Sequence, residues 1–156
     1  MAEQLTTKFL TDGCKLAPGE HDSGRRSDNL VEIVILYIHV VDRVMFMMFG
    51  PNLRGEVVDR LVGESVTQLI ERYVAPTNVD TFGRTFFATG NQRALEYAEC
   101  SDLVPGDGEA ETVFMRATKI LTREGDPASA GQWLCTVLPD LMLDPIMKIL
   151  KADDID

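Results

Sequence analysis

Between Val31 and Phe49 every position is apolar or tyrosine except Glu32, His39, Asp42 and Arg43. A run of this length is too long for a strand and lacks a wide polar face, so it predicts a central, nearly buried helix. Ser27-Asp28-Asn29 offers N-cap residues ahead of it, and Asn29 with Glu32 three positions on resembles a capping box. Gly50-Pro51 punctuates the end: glycine suits the left-handed position after a helix, and proline suits the first turn of the next. A tight helix-helix corner is expected there.

The next segment, from about Asn52 to Val74, carries Leu53, Val57, Leu61, Leu69 and Tyr73 on one stripe, widened by Val58, Val62, Val66 and Ile70, with charged and polar residues opposite. It is the clearest amphipathic helix in the chain. After Ala75-Pro76, Thr77 and Asp80 suggest a second capping box, and Val79, Phe82, Phe86, Gly90, Ala94 and Tyr97 recur at helical spacing to about Cys100. Gly83 and Gly90 lie near one face of this helix, where they would permit close approach of a neighbour; Gly90-Asn91 would otherwise break it in two, and one continuous helix is the expectation.

A turn-rich loop spans Val104 to Gly108, and a fourth helix runs from Ala110 through Leu121 to Gly125. Ser129 and Gln132 suit the start of a short fifth helix through Trp133 and Leu138, and Asp144-Pro145 reads as N-cap and first position of a last one. No segment alternates β-branched residues with period two, and no Asn-Gly or Asp-Gly hairpin joins two such runs. The expected fold is therefore all-α, an irregular bundle of five or six helices around the first. Residues 1–27 form a loosely ordered arm, 28–151 one helical domain, and 152–156 an acidic end that frays.

Composition narrows the partners. Twenty-five acidic residues against 15 basic ones give a formal charge of −10, a field that repels phosphate backbones and anionic lipid, so nucleic acid is not expected. Cys14, Cys100 and Cys135 are odd in number and widely spaced, with no CxxC, which fits a reducing cytoplasm rather than a disulfide framework or zinc site. Arg25-Arg26 before an apolar run has the outline of a twin-arginine export signal, but Glu32, His39, Asp42 and Arg43 interrupt the run and no small-residue cleavage site follows. The same four residues oppose a membrane span, since each costs about 2.5–3.5 kcal/mol at mid-bilayer.

The chemistry concentrates in the first helix. At 100° per residue, Glu32, His39 and Arg43 fall within about 40° of one another, with Asp42 about 80° from Glu32. Such groups must meet solvent, pair with neighbouring helices or line a cavity. In the structural reading, Glu32 caps the helix, Asp42 and Arg43 make ion pairs, and His39 donates to a carbonyl or carboxylate. In the functional reading, His39 shuttles a proton, Asp42 or Glu32 orients it, and Arg43 holds a small anionic ligand in a pocket completed by Tyr37 and Tyr97. No GxSxG, phosphate loop, dinucleotide fingerprint, ExxH or HxxxH occurs, and His21 lies on the arm; neither a catalytic nucleophile, a metal nor a cofactor is expected.

Met45, Met48 and Phe49 close a helix that is apolar on nearly all sides, more than a small bundle readily covers, and they predict a homodimer or protein-partner surface. The leading expectation is a non-enzymatic, self-associating helical binding or regulatory module; the alternative is a small-molecule binding protein or enzyme built on His39 and Arg43.

Overall fold

Ser23–Phe49 forms one unbroken helix, α1, of 27 residues in the computed structural model of the chain. The structure describes residues 23–100, 102–103, 111–122, 140, 142–149 and 151. After α1 come α2 (Pro51–Tyr73), a single 3₁₀ turn (Pro76–Asn78), α3 (Val79–Ala98) and α4 (Val113–Thr122), and residues 142–149 are also helical. Among the described residues there is no strand, and the fold is all-α.

α1 is the centre of the molecule. Leu30, Ile33–Tyr37, Val40, Val41, Val44 and Met45 are buried, and they supply ten of the 21 buried apolar residues described. These positions cover most of the helix circumference, which one neighbouring helix cannot do. Accordingly α1 packs against α2, α3 and α4, most extensively against α2. One cluster of buried apolar side chains extends from Leu30 to Ile146.

The corner between α1 and α2 takes its form from Gly50-Pro51. Gly50 has φ 71°, its N–H donates to the Phe46 carbonyl at 3.1 Å, and Pro51 opens α2. Only glycine enters this left-handed region without a steric cost from Cβ. α2 buries Leu61, Ser65 and Leu69 at four-residue spacing, a narrower stripe than the sequence predicts, and Tyr73 is exposed. α3 is continuous through Gly90-Asn91 and buries Phe86 and Tyr97. A Cβ at Gly83 or Gly90 would meet nothing within 4 Å, so neither glycine mediates the close approach expected of it.

Several helix starts differ from the sequence-based expectations. α1 begins at Ser23, which leaves Asn29 inside the helix and Glu32 free for tertiary pairing rather than capping. Asn78, not Thr77, precedes α3, and its side chain makes no capping hydrogen bond. α4 starts at Val113, where the Thr112 hydroxyl accepts from the Met115 N–H at 3.2 Å. Asp144 and Pro145 lie within the helical residues 142–149 rather than at their start, while Met142 and Ile146, one turn apart, face the core. The predicted arm up to residue 22, the loop 104–108, the helix from Ser129 to Leu138 and the acidic end lie outside the described residues, as do Cys14, Cys135 and His21.

Candidate functional site

The polar stripe of α1 faces α3. Glu32 is buried, and both its carboxylate oxygens accept from Arg93, Oε2 from Nε and Oε1 from Nη2, each at 2.8 Å. The remaining guanidinium edge of Arg93 donates to both oxygens of Glu96 at 2.8 and 2.7 Å, and Gln92 donates to Glu96 at 2.9 Å. The hydrogen bonds that Arg93 donates to Glu32 raise its pKa above its ordinary value. The carboxylate fork of Glu32 matched to two nitrogens of one guanidinium, with Nη1 left for Glu96, is a geometry in which arginine outperforms lysine.

Two turns along α1, His39 packs its ring against Tyr97 at 5.0 Å between centroids and 51° between planes. Its Nε2 is buried and has no hydrogen-bond partner among the described residues. Burial, reinforced by the Arg43 guanidinium and opposed by Asp42, pulls the imidazole pKa down to about 4. The ring is therefore neutral at pH 7, and leaving a buried polar atom unpaired costs about 1–3 kcal/mol.

Arg43 reaches the end of α3. Its Nη2 donates to the carbonyls of Tyr97 at 3.0 Å and Cys100 at 3.1 Å, placing a cation at the helix end whose dipole is negative, beside a Tyr97 carbonyl that also accepts from the Cys100 N–H. Asp42 turns towards α2, where both carboxylate oxygens accept from Arg54 at 2.5 and 2.7 Å. Arg54 also lies 5.5 Å from the centre of the Phe46 ring.

Beside this network is a cleft of about 280 Å³. Ile35 and Ile38 of α1, Val58 and Val62 of α2, and Phe86 and Phe87 of α3 form apolar walls. His39, Asp42, Asn91 and Tyr97 supply the polar edge, and Gly90 and Ala94 leave room in the wall. The cleft exists because α3 presents two small residues one turn apart where α1 and α2 present branched aliphatic ones.

Of the expected ligand-binding set, the structure brings His39, Asp42 and Tyr97 to the cleft. Glu32 and Arg43 instead brace α3, Arg43 bordering a smaller hollow of about 170 Å³ with Asp42, Phe46 and Arg54. Tyr37 is a core residue, and burial raises the pKa of its hydroxyl. Burial, with the Glu32 charge as a lesser cause, does the same for Tyr97. The bond from His39 to a carbonyl or carboxylate that the structural reading expects is not made by Nε2 among the described residues. Cys100 is buried, and burial raises its thiol pKa, away from the thiolate a nucleophile needs.

Met45 is 1% exposed and belongs to the core, which removes it from any partner surface. The exposed end of α1 consists of Phe46 (52%), Met47 (68%) and Met48 (36%), with Phe49 partly buried against the core. The sequence reading missed Arg93 and Arg54, the partners of the stripe. Arg93 carried a usable signal, since it falls about 20° from Phe86 on the helical wheel, within the core-facing side of α3.

Among the described residues no group of His, Cys, Asp and Glu is arranged to hold a metal ion, and no helix is long and apolar enough to cross a membrane. Comparison of the chain with protein-family models, with curated proteins and with solved structures finds no match.

Proposed function

We propose that this protein is a helical binding module that accepts a small, predominantly apolar molecule in the cleft between α1, α2 and α3. The observation that carries the reading is the cleft itself: about 280 Å³ of space walled by aliphatic and aromatic side chains of three helices, with Phe87 on its wall 51% exposed. Apolar walls with a few convergent polar groups are the usual makeup of a small-molecule site, and this volume lies just below the range of about 300–1,000 Å³ that drug-sized ligands occupy. The side chains around it favour binding over chemistry, because the charged ones are engaged with one another and His39 is neutral.

The test is a blocked cleft. Gly90→Leu adds a side chain where a Cβ has open space and improves helix propensity, so it fills the cleft while favouring α3. Toluene and p-cresol are expected to raise the thermal midpoint of the wild type and to leave that of Gly90→Leu unchanged. Equal responses of the two proteins would overturn the assignment.

A second reading has its own observation. Phe46, Met47 and Met48 place three consecutive large apolar side chains on the surface at the end of α1, and self-association through this end would cover them. Sedimentation equilibrium checks it: a wild type that dimerises, and a Phe46→Glu/Met47→Glu variant that does not, is the expected outcome. A wild type that stays monomeric at high micromolar concentration rejects it.

A further inference from the structure

The described charged side chains around the cleft are already engaged. Arg54 is engaged by both oxygens of Asp42, Arg93 by Glu32 and Glu96, and Arg43 donates to two helix-end carbonyls. An anion entering beside Asp42 would lose its water against aliphatic walls and meet a carboxylate at the polar edge. A cation would have to displace Arg54 from its two-pronged pairing with Asp42. Either exchange is unfavourable, because desolvation is compensated only by a well-placed opposite charge.

One buried polar atom on the wall has no partner among the described residues. His39 Nε2 is buried without a hydrogen-bond partner among the described residues, and the imidazole packs against the Tyr97 ring. We infer that the cleft selects an uncharged molecule with an apolar body of single-ring size and one hydroxyl group, and that the imidazole of His39 turns about its Cβ–Cγ bond to accept that hydroxyl. The turn breaks no hydrogen bond at Nε2, and the new bond satisfies an atom that is unpaired without ligand. A hydroxyl suits this role because the neutral imidazole carries one unprotonated nitrogen, an acceptor that a hydroxyl proton can meet in line. The neutrality of His39 at pH 7 follows from its burial and its cationic neighbours. The inference rests on the cleft being the binding site, as proposed above, and adds the class of molecule and the residue that reads it.

Four probes of one shape separate the possibilities at pH 7: toluene, p-cresol, p-toluate and 4-methylbenzylammonium, titrated into the full chain and followed by NMR. The expected result is that p-cresol binds roughly three- to tenfold tighter than toluene, the gain of one net hydrogen bond. Both ions are expected to bind at least about tenfold more weakly than p-cresol. In His39→Phe, toluene still binds and the preference for p-cresol disappears. In the wild type, p-cresol but not toluene shifts the ¹⁵N resonances of the His39 imidazole, a readout that holds even if His39→Phe does not fold. Equal binding of toluene and p-cresol, tighter binding of either ion, or unmoved His39 resonances would overturn the hydroxyl assignment while leaving the cleft as a binding site. Failure of all four probes to bind would overturn the cleft reading itself.

Discussion

Glu32 on α1 and Arg93 on α3 meet through two parallel hydrogen bonds of 2.8 Å each, across 61 residues of chain, with their side chains only 9% and 13% exposed. A buried pair of this kind fixes which way α3 lies on α1, but removing one partner leaves the other charge desolvated. Glu32→Leu and Arg93→Met are each expected to lower unfolding stability by about 3 kcal/mol, the low end of the range for broken buried pairs. The double variant Glu32→Leu/Arg93→Met should recover most of that loss, because it removes both charges at once. Urea unfolding of the four proteins measures the coupling.

Arg43 gives the second connection between the same two helices. Its bonds to the Tyr97 and Cys100 carbonyls are charge-assisted and stand at the end of α3. Arg43→Met is expected to cost about 1.5–3 kcal/mol. Hydrogen exchange localises the effect: amides over 93–100 should lose protection before those in the middle of α2.

What the sequence revealed follows from the range over which each signal acts. The burial of α1 is written in nineteen consecutive positions, Val31 to Phe49, and the Gly50-Pro51 corner in two adjacent residues, so both were legible. The partners of Glu32, Asp42 and Arg43 are set by packing of elements 12 to 61 residues apart, and a helical wheel shows only which side a residue is on. Met45 and Met47 illustrate the limit. Both sit in the same apolar run, yet one is buried and the other mostly exposed, because α1 is apolar all round and only its neighbours decide which side is covered. The helix starts differ for a related reason: Asn29 and Thr77 have good capping chemistry, but α1 runs back to Ser23 and the 3₁₀ turn sets the entry to α3. Arg93 could have been found by applying to α3 the same test for a charge within an apolar face that singled out Glu32.

Gly50 and Gly90 should respond to alanine in opposite directions. Neither has an atom within 4 Å of where a Cβ would stand, so sterics with the rest of the protein do not distinguish them. Their backbones do. Gly50 sits at φ 71°, where an L side chain costs about 1–2 kcal/mol, while Gly90 is inside α3, where alanine is favoured by about 0.5–1 kcal/mol. Thermal denaturation should therefore show Gly50→Ala melting below the wild type and Gly90→Ala above it.

His39 makes stability depend on pH in a window that can be stated in advance. Its pKa falls from an ordinary 6.5 to about 4 in the folded chain, so between those values the unfolded state binds the proton more readily. Stability then rises with pH across that interval and is flat, for this residue, above 6.5. Working downward, the folded state loses up to about 3 kcal/mol as pH falls from 6.5 towards 4, at about 1.36 kcal/mol for each pH unit crossed. Burial sets the sign; of the charged groups facing the ring, Arg43 and Arg54 also oppose its protonation and Asp42 favours it, while Asp42 is itself held by Arg54. His39→Phe removes the titrating group, so the difference in unfolding free energy between it and the wild type should move by up to that amount in favour of the variant between pH 7 and pH 4.5. Denaturant unfolding of both proteins at half-unit pH intervals measures this difference directly. A difference that stays constant across the interval would show that the imidazole reaches water or a partner in the folded state.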